Sequence, residues 1–130
     1  MIRTKKDYYN LLEETVNYYK EDPSRRGYDS ITLECVYKTK GGNMCAVGRC
    51  MEESILNKVG DSTDNVNILF AEYKNKMFKD QYQGFDLKFW ELLQKLHDSN
   101  EVWTIENLLI RRMADIYEWI DEKFAENPDN

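Results

Sequence analysis

The sequence predicts an α+β fold, a mostly helical single domain over residues 1–130 with about four to five helices and one β-hairpin at roughly 31–48. Apolar residues recur at spacings of three and four through most of the chain. Between Ile31 and Tyr37 that period shortens to two. Gly41-Gly42, the only Gly-Gly pair, is followed by Asn43, and residues of this kind let a chain reverse. With 42% hydrophobic and 32% charged residues the composition is globular rather than disordered. A chain of 130 residues can bury a core without covalent staples.

Thr4 is placed to cap a first helix, with Asp7 as its capping-box partner. Tyr8, Leu11 or Leu12, Val16 and Tyr19 form its apolar face, and Asp22-Pro23 ends it. The following stretch to Gly27, with Arg25 and Arg26, reads as a loop. From Ser30, alternation of Ile31, Leu33, Cys35 and Tyr37 with Thr32, Glu34, Val36 and Lys38 predicts a half-buried strand, and Met44 to Gly48 is its return strand. A short helix is expected before Gly60. Val66, Leu69, Phe70, Tyr73 and Met77 then share one helical face, and Gln81 to Gly84 interrupts the pattern. Asp86 can cap a helix that turns Phe89, Leu92, Leu93 and Leu96 inward. Thr104 opens the last helix, with Ile105, Leu108, Leu109, Met113, Ile116, Ile120 and Phe124 facing the core.

Net charge of −6 disfavours extended nucleic-acid binding, which needs clustered Lys and Arg. No apolar run approaches the roughly 18 residues of a membrane span, and the first residues lack the apolar centre of a secretory signal. Three cysteines, an odd number without such a signal, fit a reduced cytosolic setting.

Cys35, Cys45, Cys50 and the sole histidine, His97, supply the donor types of a Cys3His zinc site, but no Cys-x2-Cys knuckle is present. In a hairpin with a two-residue turn, Cys35 and Cys45 point to opposite faces. With a three-residue turn they share a face but stand about four positions, roughly 13 Å, apart. Zinc–sulfur bonds of about 2.3 Å cannot span that distance, and neither can a disulfide, which needs Cα atoms within about 7 Å. The cysteines are therefore read as small buried hydrophobes and no cofactor is expected. Zinc on these four residues is the competing reading. A thiol hydrolase using Cys45 or Cys50 with His97 is another. His97 at a predicted helix end suits the C-terminal carbonyls instead. No residue is assigned a catalytic role, and phosphate-loop and dinucleotide fingerprints are absent.

Arg49 leaves the second strand just after Gly48, where the backbone can be approached closely. Together with Tyr37, Lys40 and Arg25 or Arg26 it could line an anion-holding pocket, against the simpler reading of an ordinary surface arginine. His97 and Trp103 are further candidate ligand contacts. Tyr8, Tyr18, Tyr73, Tyr82 and Trp103 are candidate anchors for a protein partner.

The run Cys35-Val36-Tyr37, then Gly42-Asn43-Met44-Cys45-Ala46-Val47-Gly48, with Leu96-His97-Asp98 downstream, resembles an uncharacterised group of small proteins from tailed bacteriophages and some bacteria. The resemblance carries no activity to transfer. It implies a phage-encoded accessory protein in the host bacterial cytoplasm that acts by non-covalent binding. Its expected partner is a host defence protein to be inhibited, or that protein's nucleotide signal to be sequestered. A small Cys/His metal protein or hydrolase is the alternative. A homodimer is also expected, since a lone hairpin leaves open edges.

Overall fold

The computed structural model describes residues 2–22, 25, 27–29, 34–98 and 108–125, with the backbone alone at 28–29, 34–35, 96–98 and 108–112. Helix α1 (Lys5–Glu21) begins as its sequence requires. Thr4 Oγ1 accepts from the Asp7 amide at 3.2 Å, and the Asp7 carboxylate accepts from the Thr4 amide at 2.9 Å, so two orphan donors are satisfied reciprocally. The buried face is Tyr8, Leu11, Leu12, Thr15, Val16 and Tyr19. Thr15 is tolerated there because its hydroxyl donates back to the Leu11 carbonyl at 2.8 Å. The helix stops at Asp22, which is extended as a residue before proline must be.

The next segment corrects the expected fold class. The chain is mostly helical, and the α+β description with a hairpin at 31–48 does not hold. Among the described residues, ladder pairing is confined to β1 (Tyr28–Asp29) and β2 (Glu34–Cys35), two residues each, where Tyr28 faces Cys35 and Asp29 faces Glu34. Residues 31–33 of the predicted first strand lie outside the described residues. The chain does reverse between Thr39 and Asn43, with Gly42 at φ +93°. The reversal closes a single bridge, Lys38 with Met44, which matches neither register considered from the sequence. The ladder fails beyond that bridge because Gly48–Cys50 winds into a 3₁₀ turn instead of staying extended. There Gly48 lies flat on the Tyr37 peptide, and a Cβ at this position would sit 2.2 Å from the Tyr37 carbonyl oxygen. The open hairpin edge on which a homodimer was expected is therefore not formed.

Four further helices complete the described chain: α2 (Glu53–Val59), α3 (Val66–Tyr73), α4 (Leu87–Asp98) and α5 (Leu108–Lys123). The expected helix ending at Gly60 is α2, N-capped by the Glu52 carboxylate on the Ser54 amide. The start of α3 uses a tertiary cap: Gln94 of α4 accepts from the Val66 amide at 3.0 Å. Met77, expected on α3, lies beyond it in a 3₁₀ turn but is fully buried. The predicted caps of the last two helices divide: Asp86 precedes α4, whereas Thr104 and Ile105 are outside the described residues.

Helix α5 packs across α1 and α4, and α3 lies against α4. Aromatic rings fill the centre of this arrangement. Tyr8 meets Phe85 and Phe89 edge-on at 4.9 and 4.8 Å, and Trp90 stacks on Phe78 at 4.1 Å. The Tyr8 hydroxyl accepts from the Asp86 amide at 3.0 Å, so its polar tip is satisfied inside the core. Among the described residues, no helix is long and apolar enough to cross a membrane.

One backbone feature is costly. Lys74 has φ 55° and ψ −149°, a region in which the Cβ of any residue but glycine is crowded. Such a residue costs about 1–3 kcal/mol, partly offset in a Gly variant by greater freedom of the unfolded chain. Lys74→Gly should therefore stabilise the protein by about 1 kcal/mol, read as a higher urea midpoint at unchanged m-value.

Candidate functional site

Arg49 is the centre of the most elaborate polar arrangement in the structure. The 3₁₀ turn that follows Gly48 projects it back over α1, with its amide fixed by the Cys45 carbonyl at 3.0 Å. Its Nη1 donates to Glu14 at 2.7 Å and to the Tyr82 hydroxyl at 3.4 Å, and its Nη2 donates to Thr15 Oγ1 at 3.3 Å. Tyr82 in turn donates to the same Glu14 oxygen at 2.6 Å. The guanidinium also lies over two rings, 5.2 Å from the centre of Tyr18 and 5.7 Å from that of Tyr82. Only 10% of the Arg49 side chain is exposed, against 47% for Glu14. Its Nε is buried and has no hydrogen-bond partner among the described residues.

This electrostatic cluster has a consistent set of ionisation states. Burial opposes charge on Glu14, but hydrogen bonds from Tyr82 and Arg49 outweigh it and hold the carboxyl below its ordinary range. Burial, then the bond to Glu14, pushes the Tyr82 phenol up to about 12. Glu14 thus stays ionised and Tyr82 stays a donor across the physiological range.

The candidate residues from the sequence are distributed unevenly about this cluster. Arg25 joins it, lying 4.6 Å from the centre of the Tyr18 ring and donating to the Tyr18 carbonyl and to Glu21. Tyr18 therefore carries two guanidinium groups. The Tyr37 ring turns away into the core, where its hydroxyl donates to the Asp64 carbonyl at 2.6 Å and accepts from Gln94 at 3.0 Å. Lys40 is exposed on the 39–43 turn. His97 is the penultimate residue of α4, in keeping with a helix-end position, and its side chain lies outside the description, as do Arg26 and Trp103. Glu14, Thr15 and Tyr82 were not foreseen as partners of Arg49. Their sequence separations of 35, 34 and 33 leave no local signal, although Tyr82 was visible as a candidate anchor.

Cys45 and Cys50 are 2% and 0% exposed. The Cys45 sulfur accepts from the Gly48 amide at 3.1 Å. Burial pushes the Cys50 thiol up to about 12, although Arg49 pulls in the other direction. That is the environment of an inert thiol, opposed to the thiolate a nucleophile requires. Among the described residues there is no group of three or more His, Cys, Asp or Glu side chains able to hold a metal ion. The Cys35 and His97 side chains lie outside that description.

Two clefts open near these elements. One of 150 Å³ lies between α1 and the 81–85 segment and is bordered by Glu14 and Tyr82 themselves. The other, of 200 Å³, is lined by Asn65, Asn67, Glu91, Gln94 and Lys95. Comparison of the chain with protein-family models, curated proteins and solved structures gives no match.

Two outcomes are expected. Because the folded Glu14 titrates below the unfolded group, its contribution is complete above the ordinary carboxylate range and disappears as pH falls through its folded value. Glu14→Gln should therefore flatten the rise of stability with pH on the acid side, measured by urea titration at successive pH values. Cys50 should resist alkylation at pH 8 in the native protein and become labelled only in denaturant, as read by peptide mapping of the modified site.

Proposed function

We propose that this protein acts by non-covalent capture of a macromolecular partner, a host defence protein in the bacterial setting that the phage resemblance implies. The supporting observation is the bracketing of Arg49 by Tyr18 and Tyr82, with Glu14 fixing the guanidinium and Arg25 extending the stack. Tyrosine and arginine dominate the energetics of protein interfaces when they are held rigid and partly desolvated. Here that rigidity is built into the free chain, so little ordering entropy remains to be lost on contact.

Capture of a protein is favoured over sequestration of a nucleotide signal. Among the described residues, the clefts of 150 and 200 Å³ fall short of the roughly 300–1,000 Å³ typical of small-molecule sites. The guanidinium that was to meet a phosphate is already neutralised by Glu14. A thiol hydrolase is disfavoured by the burial of Cys45 and Cys50.

Tyr82→Ala removes one ring and one hydrogen-bond donor from the stack while leaving the buried core in place. Affinity purification from host lysate with the wild-type chain should recover a specific protein, and the purified pair should lose about tenfold in affinity with Tyr82→Ala, the usual scale for one such anchor. Micromolar binding of a free nucleotide by calorimetry, with no protein partner recovered, would overturn the reading in favour of sequestration.

A further inference from the structure

Beside the 150 Å³ notch between α1 and the 81–85 segment one guanidinium is already seated, that of Arg3, which forms part of the notch wall. Arg3 lies outside α1, ahead of the Thr4 cap. Its Nε donates to the Gln83 carbonyl and its Nη2 to the Gln81 carbonyl, both at 2.7 Å, while Cζ lies 4.7 Å from the centre of the Phe85 ring. Two fixed carbonyl acceptors beside an aromatic face make a seat for a planar, forked cation, geometry that suits arginine far better than lysine.

The rest of the notch continues the same chemistry. Asp7, Asn10 and Glu14 follow one another at spacings of three and four, on one face of α1. Opposite them stand Tyr82 and Phe85. The hydrogen bonds that tie Glu14 to Arg49 and Tyr82 all use one carboxylate oxygen, Oε1. The volume admits one long side chain, and the net charge of −6 attracts a basic partner.

We infer that this seat, with the notch beside it, is an arginine-recognition site, the seat being held in the free chain by Arg3 and taken over in the complex by an arginine of the partner protein. The inference rests on the binding reading above and names the chemistry of the partner. Arg3 is suited to yield its seat. Among the described residues it is held through its side chain, by the 81–83 carbonyls and the Phe85 ring, and the exposed Ile2 beside it carries no packing that would be lost. The free chain thus carries a plug that mimics its ligand, and the apparent affinity for the real one is lowered by the fraction of time the plug is seated.

The probe is the tripeptide acetyl-Gly-Arg-Gly-amide, with acetyl-Gly-Lys-Gly-amide as control, titrated into the full chain by NMR. Arg3→Ala should raise the affinity for the arginine peptide about threefold or more, as removal of a largely seated competitor requires. Asn10→Lys places a like charge at an exposed position in the notch and should abolish binding, with circular dichroism confirming the fold. Unchanged or weaker binding by Arg3→Ala, no binding by any variant, or equal binding of the lysine peptide would overturn the inference. If that happens while Tyr82→Ala still loses the host protein, the notch assignment falls and the capture reading stands.

Discussion

An irregular stretch of backbone, residues 36–51, sits in the middle of the protein, and its amides must find acceptors there. Val36, Tyr37, Cys45, Ala46, Val47, Cys50 and Met51 are all buried. Irregular chain is normally kept at the surface because a buried, unpaired peptide group costs about as much as a lost hydrogen bond. Here the pairing is distributed among neighbours. The Val36 amide goes to Gly27, Lys38 to Gly60, Cys45 to Tyr37, and Cys50 to Val47, all within 3.1 Å. On the far side, the Glu52 amide reaches Met77 and the Lys79 amide reaches Cys50. The loop between α1 and α2 is thus stitched to the chain before it, to the end of α2, and to the turn after α3.

Such stitching demands close backbone approach, which the glycines supply. A Cβ on Gly27 would lie 2.5 Å from the Cys45 nitrogen, and one on Gly48 collides with Tyr37. Gly48 also determines where Arg49 goes. With the Tyr37 peptide pressed against it, the chain turns in 3₁₀ fashion and delivers the arginine onto the Tyr18–Thr15 edge of α1. The same contact that prevents the hairpin builds the Arg49 cluster.

The helices were legible in the sequence because their information is local. Thr4 and Asp7 are three residues apart, and the buried set from Tyr8 to Tyr19 is a stripe on one helix. The period-two pattern from Ile31 to Tyr37 was ambiguous, since it says nothing of what the segment pairs with, and the adjacent Val36 and Tyr37 are both buried. Tyr37 is indeed buried, yet its backbone pairs with Cys45 and its hydroxyl with Asp64, both set by tertiary packing. Trp90, fully buried on Phe78, was missed for a related reason: it stands beside Phe89 and widens the apolar face of α4 past the expected stripe. Arg49 could be singled out by its neighbour Gly48, whereas nothing local marks Glu14 among 24 acidic residues. Only the fold makes it a counter-ion.

The Arg49 cluster is better suited to contact than to stability. Arg49 is largely buried while Glu14 stays about half exposed, so desolvating the guanidinium offsets part of their attraction, and removing Glu14 leaves a buried charge stranded. The Arg49 Nε, without a hydrogen-bond partner among the described residues, is a cost that the contacts to Glu14, Thr15 and the two rings must offset. What the arrangement does provide is orientation. Glu14 and Thr15 hold Arg49, Arg49 lies against the two rings, and Arg25 packs on the nearer one, so six side chains from α1, the 3₁₀ turns and the loop after α1 share one geometry. Arg3 repeats the motif on Phe85 at the other end of the same edge. Ordered arginines and aromatics thus line one side of α1, and the proposal that this edge meets a partner rests on that arrangement.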